Sequence, residues 1–444
     1  MASAQSDASF ETVVVIFAGG RALSKKIAVI GAGAKAAALV ARASTLKQLG
    51  EGGIPELIVF EREHIGAAWS GHGAYTSGHL SLCTPGEKDV GFPYQEIHPR
   101  RIGQASVASA LFSKFSWNAY QVATGKLADW VDRDRRYPTH SAWASYLKWV
   151  FDTAGQTVVA ATVDHVKPNR GDWEVHYSID GEAAMQSVDG VVLTGTGRAR
   201  SIPLVGDIPP GRVLDAETFW SERNRVADVP EDSTVVVAGD GGAAGTIVAW
   251  LAERLRERSV HIISLSPMGT LFPRGDGYAE RRWFTDPSDW QLLTREHRRK
   301  LMERTEAGVI SLRLKQAIDS SKNVIFSRGR AESATWDVTE LVIQTSYDGT
   351  AGAVIRADYL VNAIGFDAWS LFNLVKHPAA QRLASDPDAR AGIEESVLPD
   401  LSLDRSAGLS RRLHIPGLAG LANGPGMGNL GCLGLMASSI LDSY

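Results

Sequence analysis

Two stretches of the sequence, far apart in the chain, place glycines at a spacing suited to holding a dinucleotide diphosphate. The first is KIAVIGAGAKAAALVARAS, in which Gly31, Gly33 and Ala36 form a G-x-G-x-x-A pattern. The two glycines of such a pattern allow a tight turn and a close approach of the backbone, and the small third residue lets a helix pack on its strand. N–H groups at the start of that helix then face the phosphates. The pattern predicts a dinucleotide site.

An acidic residue strengthens this first site. The strand-like run ELIVFER follows the predicted helix and contains Glu61. A carboxylate at the end of the second strand accepts hydrogen bonds from the ribose hydroxyls of an adenosine. Glu61 follows Gly31 by more than the usual spacing of about 20 residues, and the loop LGEGGIPE accounts for the extra length.

The second stretch, TVVVAGDGGAAGTIVAWL, repeats the same order of strand, glycine turn and helix. Its pattern residues are Gly239, Gly241 and Ala244, and Gly242 adds conformational freedom. Asp240 lies within the turn, where a carboxylate would repel a diphosphate, and we expect its side chain to face solvent.

The strand after the second turn distinguishes between cofactors. The run SVHIISLS carries Ser264 and Ser266 where a site for NAD would have an acid, and Arg274 follows. Hydroxyl and guanidinium groups suit a 2′-phosphate, so NADP(H) is favoured over NAD(H). A degenerate glycine turn that binds nothing is the alternative.

The elements that must position these sites alternate between β-branched apolar runs and amphipathic helices, which predicts parallel sheets. Two short runs flank the second glycine pattern, which we call the second fingerprint. They are VVLTGTG, which ends at Gly197, and DYLVNAIGF, which contains Gly365. They are typical of places where a chain leaves and re-enters the FAD-binding domain, so the second domain is predicted to be nested in the first. Two dinucleotide sites in one chain favour FAD in the first and NADPH in the second, with hydride passing between them.

Composition excludes several other classes of protein. The 444 residues carry a net charge of −4 and only two cysteines, Cys83 and Cys432. We therefore expect no nucleic-acid partner, no disulfide framework and no CxxC redox pair, which argues against a disulfide reductase. The apolar run VVVIFAGG near the N-terminus is too short to span a bilayer. A cytoplasmic homo-oligomer without a transmembrane segment or a metal is expected.

The chain resembles the flavin-dependent N-hydroxylating monooxygenases of siderophore biosynthesis, and most closely the lysine N6-hydroxylases of mycobactin- and nocobactin-type pathways. The resemblance rests on IGAGAKAAA, TPGEKDVGFPY, RRYPTHSAWASYLKWV, TLFPRGDGYAE, FTDPSDW and NGPGMGNLGCLGLM, and extends from about Lys25 to the C-terminus. It implies that NADPH reduces FAD, that O2 then gives a C4a-hydroperoxyflavin, and that the side-chain amine of free L-lysine is hydroxylated.

The resemblance also implies roles for individual residues. Lys88, in GEKD, matches the family lysine that pairs with the substrate α-carboxylate, while Arg281 and Gly431 fall where related enzymes have a substrate-binding Asn and a Ser. Trp69 is expected near the flavin. Asn429 and Leu430 are expected at the flavin ring, where a glycine loop opens the last helix.

Substrate identity is less constrained than cofactor identity, because Arg281 cannot accept a hydrogen bond from an amine. Alternatives are an N-hydroxylase of ornithine or another amine, a related class B flavin monooxygenase, or a nucleotide-binding regulator without turnover. The FxGxxxH linker of Baeyer–Villiger enzymes is absent from AETFWSERNRVADVPEDS.

The sequence thus predicts an α/β protein with two nested Rossmann-like domains and a small, mainly helical substrate subdomain. Its predicted parts are a tail at 1–24, an FAD-binding domain at 25–205 and 355–444, an NADPH-binding domain at 206–280 and 321–354, and the helical subdomain at 281–320.

Overall fold

The computed structural model describes residues 24–72, 75–95, 104–273, 277–306, 310–390, 392–403, 409 and 412–444. The predicted N-terminal tail therefore lies, except for its last residue, outside the described residues. No helix within these ranges is long and apolar enough to cross a membrane.

The strands of these ranges are, in chain order, β1 Lys26–Ile30, β2 Glu56–Glu61, β3 Val158–Ala160, β4 Thr162–Asn169, β5 Asp172–Ile179, β6 Glu182–Val188, β7 Gly190–Leu193, β8 Arg198–Ala199, β9 Leu204–Val205, β10 Val213–Asp215, β11 Thr234–Ala238, β12 His261–Ser266, β13 Val324–Arg328, β14 Arg330–Trp336, β15 Leu341–Tyr347, β16 Thr350–Ala351, β17 Ile355–Ala357, β18 Tyr359–Asn362, β19 Phe366–Asp367 and β20 Leu413–His414.

The α-helices are α1 Ala34–Gln48, α2 Ala67–Ser70, α3 Gln104–Phe115, α4 Trp117–Ala123, α5 Leu127–Asp132, α6 His140–Ala154, α7 Thr218–Ala227, α8 Gly242–Arg254, α9 Tyr278–Trp283, α10 Arg295–Glu306, α11 Leu312–Asp319, α12 Pro378–Ser385, α13 Gly420–Asn423 and α14 Leu433–Leu441. Short 3-10 helices span Trp290–Leu292, Ala368–Leu374, Asp388–Arg390, Glu394–Ser396, Pro416–Leu418, Pro425–Gly428 and Leu430–Cys432.

The first fingerprint lies in a parallel sheet of order β20-β7-β1-β2-β3. Its central strand β1 has a buried interior, as expected for a parallel strand covered on both faces. Helix α1 follows β1 and packs against α6 and α14, so the last helix of the chain returns to the first domain. An antiparallel meander of β4, β5 and β6 leads from β3 to β7.

The second fingerprint lies in a second parallel sheet, of order β10-β18-β11-β12-β13. Helix α8 follows β11 and packs against α11. A smaller sheet of β9, β14, β15, β16 and β17 lies beside it. The predicted α/β architecture, with one dinucleotide-type unit inserted into another, is confirmed.

Two predicted boundaries differ from the structure. The run DYLVNAIGF was expected to re-enter the first domain, yet β18 pairs in parallel with β11 and β10 in the second sheet. The chain returns only at β19, which pairs with β8. The helical segment 281–320 also divides, because Leu314 and Ile318 of α11 belong to the hydrophobic core of the second sheet. Helix α11 thus completes the crossover from β12 to β13.

Candidate functional site

The first glycine turn has the backbone that a diphosphate site requires. Gly31 has φ +98°, and a Cβ there would lie 2.6 Å from Thr194 Oγ1. Gly33 precedes α1 in extended conformation, and Ala36 is fully buried against the strand layer. Among the described residues, no atom lies within 4 Å of a Cβ built on Gly33, which leaves space for an anion beside the first N–H groups of α1. The residues fit the diphosphate of FAD.

The carboxylate of Glu61 is held at the end of β2. Its Oε2 accepts a hydrogen bond from Ala32 N at 2.8 Å, and its Oε1 accepts one from Glu63 N at 3.0 Å. Each carboxylate oxygen can accept more than one hydrogen bond, so the group can also receive those of a ribose. Its position beside the glycine turn fits that role.

Changing Glu61 to Gln tests this assignment. The glutamine amide has an NH2 group in place of one carboxylate oxygen, and that group cannot accept a hydrogen bond from a backbone N–H or a ribose hydroxyl. The amide also lacks the charge that strengthens the hydrogen bonds of the carboxylate. We expect the Kd for FAD to rise about tenfold, because one charge-assisted hydrogen bond contributes about that factor to binding. Flavin fluorescence titration of the FAD-free protein measures it. The neighbouring exposed Glu63, changed to Gln, is the matched control and should leave the Kd unchanged.

The second glycine turn repeats this geometry. Gly239 has φ +133°, and a Cβ there would lie 2.1 Å from the carbonyl oxygen of Ala363. Gly241 precedes α8 in extended conformation, Gly242 is its first residue, and Ala244 is fully buried. The backbone N–H groups at the start of such a helix can donate to a phosphate group.

The expected 2′-phosphate ligands need correction. Ser264 and Ser266 are each only 1% exposed. The hydroxyl of Ser266 donates to Thr270 O at 3.2 Å, and that of Ser264 is buried between β11 and β13. Neither hydroxyl is exposed, and that of Ser264 has no hydrogen-bond partner among the described residues. Arg274 lies outside the described residues.

Asp240 is also placed differently from the expectation. Its side chain is half-buried rather than solvent-facing. Burial raises the pKa of this carboxyl, and the charge of Arg330 opposes that shift.

The two connections between the sheets lie side by side. Gly197 has φ +82°, and a Cβ there would lie 1.9 Å from Asp367 O, so β8 and β19 approach closely. Gly365 has φ +94° in the second connection. The chain therefore passes from the first domain to the second, and back again, through these two neighbouring connections.

The long loop between α2 and α3 is fixed by a buried carboxylate. Asp89 is 1% exposed. Its Oδ2 accepts from Trp117 N at 2.8 Å, and its Oδ1 accepts from Gly91 N at 3.0 Å and from the hydroxyl of Tyr94 at 2.7 Å. These bonds tie the loop to the start of α4 and so determine where the adjacent Lys88 lies.

Lys88 reaches the segment that follows α9. Its Nζ donates to Thr285 Oγ1 at 3.1 Å and lies 5.4 Å from the ring centre of Phe92. The hydroxyl of Thr285 donates in turn to Arg281 O at 3.1 Å. Because that hydroxyl has one proton, its lone pair must face the ammonium. Arg281 itself is exposed, and its carbonyl takes part in this chain of bonds.

The C-terminal glycine loop lies against the same segment. A Cβ on Gly431 would lie 2.4 Å from Phe284 O, so the serine expected from the resemblance has no room here. The thiol of Cys432 donates to Phe284 O at 3.0 Å and to Thr285 O at 3.3 Å, and burial raises the pKa of that thiol to about 12. Gly431 thus permits a close approach of two backbones and offers no contact from a side chain of its own.

Asn429 and Leu430, which were expected at the flavin ring, lie in this loop, whereas Trp69 lies in α2. Asn429 accepts from Gly431 N at 2.7 Å through Oδ1 and donates to Pro425 O at 2.8 Å, and Leu430 is half-buried. Trp69 in α2 lies edge-on to His140, with ring centres 5.3 Å apart. The structure therefore brings Lys88, Arg281 and the C-terminal loop together, over more than 300 positions of sequence.

Sequence reasoning missed Thr285 and Asp89. The contact from Lys88 to Thr285 joins residues 197 positions apart, and no local pattern marks it. Asp89 follows Lys88 within the quoted motif, and its place in a predicted loop among apolar residues was the available signal.

Comparisons with known proteins identify the family of this chain. A family model described as L-lysine 6-monooxygenase/L-ornithine 5-monooxygenase matches residues 109–320. L-lysine N6-monooxygenase MbtG of Mycobacterium sp. (strain MCS) is 35% identical over 426 residues, which cover 94% of this chain and 95% of the relative. MbtG of Mycobacterium tuberculosis (strain CDC 1551 / Oshkosh) is 33% identical with the same coverage.

Solved structures show the same likeness. Lysine monooxygenase NbtG from Nocardia farcinica superposes with a TM-score of 0.80 at 30% identity, covering 94% of this chain and 99% of NbtG. The ornithine N-hydroxylase KtzI of Kutzneria sp. 744, solved with reduced FAD, NADP+ and L-ornithine, gives a TM-score of 0.72 at 16% identity, covering 95% of this chain and 98% of KtzI. At that identity the second likeness concerns the fold alone.

Proposed function

This chain belongs to the L-lysine N6-monooxygenase family, and we propose that it hydroxylates the side-chain amine of free L-lysine with FAD, NADPH and O2. MbtG and NbtG, both named as lysine monooxygenases, match it over 94% of its length. The hydroxylamine product is proposed to serve hydroxamate siderophore biosynthesis. The cytoplasmic location and the homo-oligomer remain predictions from the sequence.

One observation carries the choice of an amino-acid substrate. The ammonium of Lys88 lies where the loop of the first domain, the segment after α9 and the C-terminal glycine loop meet. A fixed cation in a half-buried position suits the α-carboxylate of an amino acid, and it leaves the distal amine free to react. We infer that Lys88 holds the substrate and that Asn429 and Leu430 adjoin the flavin.

The chemistry divides between cofactors and protein. When bound, NADPH supplies hydride and FAD supplies the oxygenating group. The protein must bind lysine with its amine neutral, although at pH 7 an amine of pKa about 10.4 is neutral in only about one molecule in a few thousand. A dry pocket around the distal amine would favour the neutral form and would shield the oxygenating group from water.

Arg281 keeps the alternative substrates open. Its guanidinium cannot accept a hydrogen bond, unlike the Asn of the ornithine enzymes. A substrate panel resolves this. Purified protein with FAD and NADPH is given L-lysine, L-ornithine or cadaverine, and the hydroxylamine products are measured by mass spectrometry. We expect L-lysine to give the highest kcat/KM, whereas no hydroxylamine from any of the three would refute the proposal.

Changing Thr285 to Val tests how Lys88 is positioned. Valine matches threonine in shape but offers no acceptor to the ammonium, so the carboxylate anchor loses its orientation. We expect the KM for lysine to rise about tenfold, because one hydrogen bond to a charged group contributes about that factor to binding. The kcat should change much less. The conservative Thr285→Ser variant should restore the wild-type KM. Equal losses in both variants would show that Thr285 acts only by packing.

A further inference from the structure

A lysine in the first glycine turn has no assigned role. Lys35 is the second residue of α1, two positions after Gly33, and its side chain is half-buried. Its Nζ donates to Thr194 O at 3.2 Å, in the segment that leads from β7 to β8. The ammonium therefore lies between the start of α1 and the first of the two connections.

The electrostatics of this position are unfavourable in the protein alone. The N-terminus of a helix carries a partial positive charge, so a cation in the first turn is repelled. The first turn of α1 contains no acidic residue, and within the described part of the chain no ion pair joins Lys35 to a carboxylate. Lys47, in the last turn of the same helix, has the favourable position that a basic residue normally takes.

Burial adds to this cost, because a half-buried ammonium loses hydration without gaining a counter-charge. It lowers the pKa of Lys35 to about 8, and no neighbouring charge contributes to that shift. The charged side chains on the adjoining segments include Glu61 at the end of β2 and Arg198 in β8, and neither forms an ion pair with Lys35 among the described residues. What would compensate the charge is an anion at the start of α1.

We propose that Lys35 is the counter-charge for the diphosphate of FAD, held ready by its hydrogen bond to the carbonyl of Thr194. The inference rests on the proposed function, which places FAD at the first turn. The N–H groups of the turn donate to the phosphate oxygens, and Lys35 adds the full charge that those dipoles lack.

The titration of Lys35 gives the proposal a pH dependence. An anion beside the ammonium stabilises the protonated form, so binding of FAD raises the pKa of Lys35. By linkage, the affinity for FAD is constant at pH values below the free-protein pKa and falls as the pH rises through about 8. A methionine in this position has no proton to lose, so this part of the pH dependence disappears.

The test is the affinity of FAD-free protein for FAD, measured by flavin fluorescence without substrate. Lys35→Met should raise the Kd about 10- to 100-fold and flatten its dependence on salt and pH, as loss of one hydrogen bond to a charged group predicts. Lys35→Arg should keep the charge and most of the affinity. Lys47→Met, on the same helix, is the matched control and should bind FAD like the wild type.

The other outcomes overturn the idea in distinguishable ways. If Lys35→Met binds FAD as the wild type does, and only its thermal unfolding without FAD shifts, the bond to Thr194 is structural and the inference is wrong. If the wild-type protein itself binds no FAD, the proposed cofactor fails and the inference fails with it.

Discussion

Replacement of Lys88 by methionine is expected to lower kcat/KM for L-lysine by about 100- to 1000-fold, the loss caused by truncating one partner of a buried, hydrogen-bonded charge pair. Methionine keeps the unbranched apolar part of the side chain but removes the ammonium. The substrate carboxylate would then be desolvated without a counter-charge, and most of the loss should fall on KM.

Cadaverine, which is lysine without its carboxylate, provides an internal control for this variant. If Lys88 acts on the carboxylate, Lys88→Met should leave kcat/KM for cadaverine nearly unchanged and bring lysine down to a similar value. Reduction of FAD by NADPH in the absence of substrate should also be unchanged. A parallel loss for both amines, or a loss of flavin reduction, would contradict the role given to Lys88.

Replacement of Asp89 by alanine is expected to lower the free energy of unfolding by about 3–5 kcal/mol, since three buried donors lose their acceptor at about 1–3 kcal/mol each. These donors are the backbone N–H groups of Trp117 and Gly91 and the hydroxyl of Tyr94. Urea unfolding followed by tryptophan fluorescence measures the change. Asp132→Ala, at an exposed carboxylate in α5, is the control and should alter the stability little.

The same carboxylate predicts a pH dependence of stability. Burial raises the pKa of Asp89 to about 7, against the hydrogen bonds that lower it, whereas the unfolded chain has a value of about 3.9. A folded pKa above the unfolded one means that the stabilising contribution is complete below about pH 4 and is lost as the pH rises towards about 7.

The isosteric Asp89→Asn variant isolates that contribution, because an amide does not titrate. The difference in unfolding free energy between wild type and Asp89→Asn should change between about pH 4 and pH 8. As the pH rises through this range, the wild type should lose more stability than Asp89→Asn does. A difference that stays constant across this range would show that Asp89 does not titrate there.

The two glycine turns could be predicted from the sequence because their requirements are local. Gly31 and Gly239 both adopt positive φ with a neighbouring backbone or hydroxyl in the space of a Cβ, and only glycine meets that condition. The acid at Glu61 follows from the same local rule. A strand, a turn and a helix determine these positions without reference to the rest of the chain.

Assignments that depend on long-range pairing were less predictable. DYLVNAIGF has the same pattern of a strand before a glycine whichever sheet it joins. Its pairing with β11 is what assigns it to the second sheet. The serines of β12 stand where a cofactor ligand is expected, but their burial depends on what packs over that face of the strand, which no local pattern gives. Thr285 meets Lys88 only because the segment after α9 folds over the first domain.

This chain is proposed to transfer oxygen from O2 to the side-chain amine of lysine. The most direct measurement supplies purified protein with FAD, NADPH, L-lysine and isotopically heavy O2, and analyses the product by mass spectrometry. We expect N6-hydroxylysine that carries the heavy oxygen and forms only when NADPH is present. Consumption of NADPH with H2O2 as the sole oxygen product, and no labelled hydroxylysine, would contradict it.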